Sequence, residues 1–421
     1  MDETSFPNAK SRNAYLIAYK AFADLAGKGS LFVITVIAAR RLSPAAFGLF
    51  SLGSTLGWIV AVVSDAGIQL HLARAVARRP QEAPALLRAW LRVRLWTAAL
   101  AVAVVAIGLA AGWRSAVATP LLVLALVYAC SGLIELLHYF YRGLSRSDLE
   151  SSLILWQRGG TLACGGIALA WRPDVTVLAI ALLIPVAITL AISLRIAMRV
   201  NTPDAAGAAI DGVSFHSFRR DVWPIGAGIV LSALYFRIDV FLVELWSGTE
   251  SVALYNAVFR LVEALRLFPA AVLAVVLPSL VRAGDLRPLA RVALPLTGFA
   301  IAAAAVLWIA AGMLIPLLYG AAYAPAVPAF RVLLLSLPLL SLNFALTHQL
   351  VSWDGQRVYA GLCAIALAVN VALNATLIPL RSIEGAAWAT LGTELVLTAG
   401  CALALGLMRA PAPVTAVATG T

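Results

Sequence analysis

The chain has 421 residues, of which 62% are hydrophobic and 12% charged, with a formal net charge of +11 and a mean hydropathy of +0.93. Soluble domains carry about 25% charged residues, so this composition excludes one. No polar segment exceeds about 20 residues, which leaves no room for a separate catalytic domain, and any function must reside among polar residues within the apolar stretches.

The first thirteen residues are polar, and the apolar stretch after them is too long for the core of a cleaved leader, so no signal peptide is expected. Apolar spans follow at 14–39, 46–70, 85–110, 117–141, 149–171 and 175–198. After a break they resume at 221–245, 251–279, 288–313, 326–350, 357–380 and 384–408. A hydrocarbon core about 30 Å thick needs about 20 apolar helical residues, so each span reads as a transmembrane helix. The sequence thus predicts twelve.

Basic residues at the span ends set the orientation. One side holds Lys10, Arg12, Arg74, Arg78, Arg79, Arg142, Arg146, Arg195, Arg199, Arg219, Arg220, Arg282, Arg287, Arg291, Arg357 and Arg409; the other holds only Arg40, Arg41, Arg114, Arg172 and Arg381. By the positive-inside rule both termini are expected in the cytoplasm, and the alternation supports an even number of crossings. Much of the positive charge is then topological, and no nucleic-acid partner is needed to explain it.

The break at 201–220 contains Pro203, Gly207, Gly212 and two aspartates, and reads as a cytoplasmic linker between an N-terminal lobe, 1–200, and a C-terminal lobe, 221–421. The halves echo each other. Phe47-Gly48-Leu49-Phe50 resembles Val252-Ala253-Leu254-Tyr255, and the basic turn at Arg146 sits like the one at Arg357. Two copies of a six-span unit share one membrane orientation, the parallel type of transporter repeat, with the substrate path between them. Cys130, Cys164, Cys363 and Cys401 fall inside spans at unrelated spacings, so neither a disulfide framework nor a tightly bound metal is expected.

Four stretches carry a family resemblance. They are Ala39-Arg40-Arg41-Leu42-Ser43-Pro44-Ala45-Ala46-Phe47-Gly48-Leu49-Phe50 with Asp65-Ala66-Gly67-Ile68; Tyr255-Asn256-Ala257-Val258-Phe259-Arg260-Leu261 running on to Leu277-Pro278; Leu318-Tyr319-Gly320 with Tyr323; and Asn370 through Asn374-Ala375-Thr376-Leu377-Ile378-Pro379 with Gly385-Ala386-Ala387-Trp388-Ala389-Thr390. In this order they resemble the polysaccharide or O-antigen flippases of the multidrug/oligosaccharidyl-lipid/polysaccharide exporter superfamily. One departure is the turn after Pro379, usually glycine-bearing in the family and here Leu380-Arg381-Ser382-Ile383-Glu384. The resemblance implies an all-α polytopic membrane protein, two six-helix lobes around a central cavity. It implies a non-enzymatic flippase of the bacterial inner membrane, moving a polyprenyl-pyrophosphate-linked oligosaccharide outward by alternating access for O-antigen, capsule or exopolysaccharide synthesis.

Charged groups inside a bilayer cost about 2.5–3.5 kcal/mol each and should face a cavity or a partner. Lys20, Asp24 and Lys28 share one stripe of the first span, either as an internal ion pair or as a cationic cavity wall. Arg88 and Arg92 make a similar pair, read as cavity residues or as lipid-headgroup contacts. Arg260, Glu263 and Arg266 follow at three-residue steps, and an arginine fork suits phosphate oxygens, so Arg260 and Arg266 are the leading substrate residues. Arg158 and Arg331, near span ends, are weaker candidates. Arg237 is another, since Asp239 two positions on does not face it.

Asp239 resembles the seventh-helix aspartate that forms a cation site in related lipid II flippases, where Asn370, Asn374 and Thr390 would supply the other ligands. Such oxygens suit a hard cation, although interhelical hydrogen bonds between the asparagines are the plainer reading. Asn374 stands where some relatives carry a second carboxylate. Asp24, Asp65, Glu135 and Glu394 are alternative proton carriers, and His138 is expected to hydrogen-bond Glu135. No cofactor is expected apart from a transported Na⁺ or H⁺. An inside-negative potential alone gives about 2.3 kcal/mol per charge per 100 mV to an outward-moving anion.

The expected partners are the lipid-linked oligosaccharide, membrane lipids, and a polysaccharide polymerase with chain-length proteins; a monomer is expected. Two other functions stand beside the flippase. A cation-coupled drug exporter of the same superfamily shares the architecture, whereas a membrane polymerase or glycosyltransferase should carry a larger, more charged outer loop.

Overall fold

The computed structural model describes residues 9–112, 115–200, 222–269, 272–273, 276 and 286–408. The predicted linker at 201–220 lies outside the described residues, as do the side chains of Lys10, Arg12, Arg114, Arg219, Arg220, Arg282 and Arg409. Helices dominate, and no strand occurs among the described residues. The chain divides into two compact units, Met1–Gly226 and Ala227–Thr421. Among the described residues nine helical segments are long and apolar enough to cross a membrane.

The first unit comprises α1 (Ala9–Arg41), α2 (Pro44–Asp65), α3 (Ile68–Arg78), α4 (Ala83–Gly112), α5 (Ser115–Gly143), α6 (Ser147–Trp171) and α7 (Val175–Met198). Helix α5 is its axis and packs on α2, α3, α4 and α7. Leu124, Leu136, Leu137, Phe140 and Tyr141 of α5 are all fully buried. The approach of α2 to α5 is set by Gly53 and Gly57, one turn apart: a Cβ there would lie 2.6 Å from Leu124 and 2.7 Å from Tyr128. Small residues at this spacing let two membrane helices meet backbone to side chain.

Helix α2 starts on Ser43, whose hydroxyl accepts the Ala46 N–H at 3.3 Å, with Pro44 in the first turn. It ends earlier than the sequence predicts. The expected span 46–70 breaks after Asp65, because the Asp65 carboxylate accepts the N–H groups of Gly67 (3.1 Å) and Gln69 (3.2 Å) across an elbow in which Ala66 and Gly67 take φ of 42° and 88°. The chain then runs into α3, an amphipathic helix absent from the predicted elements, which buries Ile68, Leu72 and Val76 and exposes Arg74 and Arg78. Apolar content alone merged it with α2.

The second unit comprises α8 (Trp223–Ser247), which begins at the boundary, α9 (Thr249–Leu265), α10 (Arg287–Tyr319), α11 (Val327–Ser352) and α12 (Gln356–Leu407). Helix α11 is the pivot and packs on α9, α10 and α12. Leu346 and Leu350 of α11 join Leu296, Leu397 and Cys363 in the core.

Two predicted spans, 357–380 and 384–408, form the two halves of α12, broken at Ser382 with φ 50° and ψ −130°. This backbone conformation favours glycine, and a serine held in it stores about 1–3 kcal/mol. The break is locked by Gly385, where a Cβ would sit 2.1 Å from the Leu377 carbonyl oxygen. Two opposite outcomes are expected on thermal unfolding of the purified protein: Ser382→Gly raises stability by about 1 kcal/mol, and Gly385→Leu lowers it by about 3 kcal/mol.

Candidate functional site

The second unit gathers the charges of α8 and α9. On α9, Arg260 Nη1 donates to Glu263 Oε2 at 2.9 Å, and the other Glu263 oxygen lies 3.8 Å from Arg237 Nη1. Arg237 is 3% exposed, donates from Nη2 to Asn256 Oδ1 at 3.0 Å, and lies over the Phe259 ring at 5.1 Å. One carboxylate thus answers two arginines. Arg266, the residue that ends α9, forms neither ion pair nor side-chain hydrogen bond among the described residues. Its guanidinium is held by ring faces, 4.3 Å from the Phe236 centroid and 5.9 Å from that of Phe344. It borders a small cavity, with room for about one water molecule, together with Glu263, Phe236, Phe259 and Thr390.

The acids lie deeper. The Tyr255 hydroxyl donates to Asp239 Oδ2, and Asp239 Oδ1 accepts the Val240 N–H at 2.8 Å. Tyr255 is also 3.2 Å from Thr390 Oγ1, which links α8, α9 and α12. Asn374 Nδ2 donates to Asn370 Oδ1 at 2.8 Å, and Asn370 Nδ2 donates to Thr393 Oγ1 at 3.2 Å. The four residues suggested as a cation site are therefore all on neighbouring helices, but no hydrogen bond joins Asp239 to either asparagine, and Tyr255 occupies its carboxylate. Glu394 is 2% exposed and accepts Asn343 Nδ2 at 2.7 Å; Thr398 donates to Asn343 Oδ1 at 2.8 Å.

A separate network occupies the first unit. Glu150, fully buried in the first turn of α6, accepts Lys20 Nζ at 2.9 Å and is bound by Arg142 Nη2 at 2.5 Å and Nε at 2.9 Å. Lys20 also meets Asp24 at 2.5 Å, whereas Lys28 points away and is exposed. Of the stripe read from the first span, only Lys20 and Asp24 come together. Arg88 and Arg92 are exposed on α4, and the sequence reading passed over Arg94 two residues on.

Arg94 is 1% exposed, donates to Ser64 Oγ and to the Ala61 carbonyl (2.9 Å), and lies 3.7 Å from Asp65. Gly132 leaves its guanidinium room, since a Cβ there would come within 2.6 Å of Nη2. Asp65 is thus half of an ion pair and an N-terminal cap for α3. His138 corrects an expectation: no hydrogen bond joins it to Glu135, which is exposed, and its buried Nε2 faces the charges of Glu150, Arg142, Lys20 and Arg158. Arg331 donates to the Trp308 carbonyl at 3.4 Å and lies 6.0 Å from that ring. The four cysteines are free, and among the described residues no group of three His, Cys, Asp or Glu could hold a metal ion.

Three residues of these networks carried a sequence signal that went unused. Arg94 is a third arginine on α4, off the stripe of Arg88 and Arg92. Tyr255 lies inside the motif Tyr255-Asn256-Ala257, and Glu150 is an acid at the start of an apolar span.

Fold comparisons agree on one architecture. The chain is similar to a multidrug resistance transporter of the MATE family, MOP superfamily, in an inward-facing conformation, with a TM-score of 0.68 and 14% identity over 91% of this chain and 93% of that one. It is similar to the lipid II flippase MurJ in an inward closed conformation, with a TM-score of 0.69 and 13% identity over 92% of this chain and 87% of that one. A MOP superfamily transporter from Pyrococcus furiosus, described as having a binding pocket of reverse polarity, gives 0.64 and 14% over 93% and 95%. Identities this low establish the fold alone. No curated protein matches the chain. Residues 17–283 match the family model described as polysaccharide biosynthesis protein, which covers more than half of the sequence. The chain is therefore an all-helical membrane protein with the fold of the MOP superfamily transporters, and it belongs to the polysaccharide biosynthesis protein family.

Proposed function

We propose that the protein is a flippase that carries a polyprenyl-pyrophosphate-linked oligosaccharide from the cytoplasmic to the periplasmic leaflet of a bacterial inner membrane. It works by alternating access, without a catalytic step, and serves the synthesis of a surface polysaccharide such as O-antigen, capsule or exopolysaccharide. Both termini lie in the cytoplasm in this reading, which the distribution of Lys and Arg supports. The partners are the lipid-linked glycan, the surrounding lipids and the polymerase and chain-length proteins that receive the product; the transporting unit is a monomer.

The observation that carries this reading is Arg266. A guanidinium held between ring faces, with neither ion pair nor side-chain hydrogen bond among the described residues, keeps its donors for an anion. A pyrophosphate supplies one, and an arginine fork replaces the hydration that phosphate oxygens lose on leaving water. Multidrug transporters share the fold, but a guanidinium that no carboxylate binds among the described residues suits an anion better than a cationic drug. In an encapsulated host that lacks its own copy, expression is expected to restore surface polysaccharide. In an exporter-deficient strain it is expected to leave resistance to cationic drugs unchanged. Drug resistance without restored polysaccharide would overturn the proposal.

A further inference from the structure

The hairpin of α3 and α4 carries an excess of positive charge that none of the networks above uses. Between Ala66 and Gly112 there are six arginines and one acid, Glu82. Arg79 donates to Glu82 at 3.1 Å, and Arg94 turns inward to lie 3.7 Å from Asp65. The other four, Arg74, Arg78, Arg88 and Arg92, are exposed and form neither ion pair nor side-chain hydrogen bond among the described residues.

The packing turns these four outward. Ile68, Leu72 and Val76 of α3 share one core with Leu86, Leu87 and Trp90 of α4, and the His71 ring meets Trp90 edge-on at 4.9 Å. With the apolar faces joined, the arginines are left on the outer faces in two pairs of four-residue spacing, Arg74 with Arg78 and Arg88 with Arg92. On α4 the charged face runs on into apolar surface, where Leu95, Trp96 and Ile107 are 48%, 74% and 69% exposed. This helix is long and apolar enough to cross a membrane, so that surface meets acyl chains while Arg88 and Arg92, in its first turns, reach the headgroups.

We propose that the α3–α4 hairpin binds an anionic phospholipid of the cytoplasmic leaflet, with its phosphate taken by the four arginines and its chains laid along Leu95 and Trp96. A guanidinium fork matches phosphate oxygens in pairs, and four basic residues at a membrane surface suffice to select anionic lipid. A face that is basic at one end and apolar along the rest matches a lipid over its whole length, which an acidic protein would not. Arg88 and Arg92 are then headgroup contacts and not cavity walls. The site does not depend on what the protein transports.

Purified full-length protein in detergent is titrated with phosphatidylglycerol or with phosphatidylcholine of the same acyl chains, and bound lipid is counted by native mass spectrometry. Phosphatidylglycerol is expected to bind more tightly. Each basic residue near a membrane surface contributes about 5-fold toward anionic lipid, so Arg88→Gln with Arg92→Gln should lose about 30-fold in phosphatidylglycerol affinity and leave phosphatidylcholine unchanged. Arg74→Gln with Arg78→Gln should do the same. Arg40→Gln with Arg41→Gln, at the far end of α1, makes an equal change in charge and should bind as wild type does.

The four side chains make no polar contact among the described residues, so both pair variants should unfold at the wild-type temperature. If a pair variant does not fold, Arg92→Gln alone should still lose about 5-fold. Equal affinity of the wild type for the two lipids overturns the proposal, as does undiminished phosphatidylglycerol binding in either pair variant, or an equal loss in Arg40→Gln with Arg41→Gln. Displacement of phosphatidylglycerol by farnesyl pyrophosphate would make this face a cargo site and overturn the proposed occupant.

Discussion

Arg266→Ala is expected to abolish surface polysaccharide while the protein remains at its normal level in the membrane. Among the described residues the Arg266 guanidinium lies on the faces of Phe236 and Phe344 and donates no hydrogen bond, which leaves its five donors for an anion. Removing one partner of a desolvated charge pair costs about 2 kcal/mol or more, or about 30-fold in affinity for the anion. Arg260→Ala should do less, because Glu263 retains Arg237 at 3.8 Å and the cluster keeps its cavity-facing cation. Polysaccharide measured on cells, beside an immunoblot of their membranes, checks both variants. Equal loss in the two would mean that the arginines act as one network and that Arg266 holds no special place.

The second large effect falls on stability. Arg94→Met leaves Asp65 buried without its cation and removes the donors to Ser64 and to the Ala61 carbonyl. Breaking a buried pair from one side costs about 3–5 kcal/mol, whereas replacing both partners is often close to neutral. Thermal unfolding of the purified protein should show this loss for Arg94→Met. The double variant Asp65→Asn, Arg94→Met should recover most of it, since an asparagine can still accept an N–H of the α3 elbow. A double variant no better than Arg94→Met would show that the arginine is needed for its hydrogen bonds and packing and not for its charge.

Much of the architecture was legible because a membrane segment needs little more than length and apolarity. The spans that became α4, α5, α7, α10 and α11 were read within a few residues. Apolarity does not report backbone reversals. The elbow at Ala66 depends on one carboxylate turning back on two N–H groups, and the break in α12 depends on Ser382 in a conformation that glycine would adopt more easily. The polar sites were legible as residue types but not as pairs. Spacing on one helix put Arg260 and Glu263 on one face and offered an ion pair for Lys20 and Asp24, and the members of each pair are in contact. Spacing says nothing of Glu150 meeting Lys20 and Arg142 from two other helices, or of Arg94 meeting Asp65. The freedom of Arg266 emerges only after the neighbouring acids have found other partners.

Outward movement of a lipid-linked oligosaccharide is read out by the leaflet distribution of that lipid in vesicles with and without this protein. The lipid is expected to stay on the cytoplasmic leaflet without the protein and to reach the opposite leaflet when it is present, but not with Arg266→Ala. An identical distribution with and without the protein, in vesicles shown to contain it folded, would rule out a flippase.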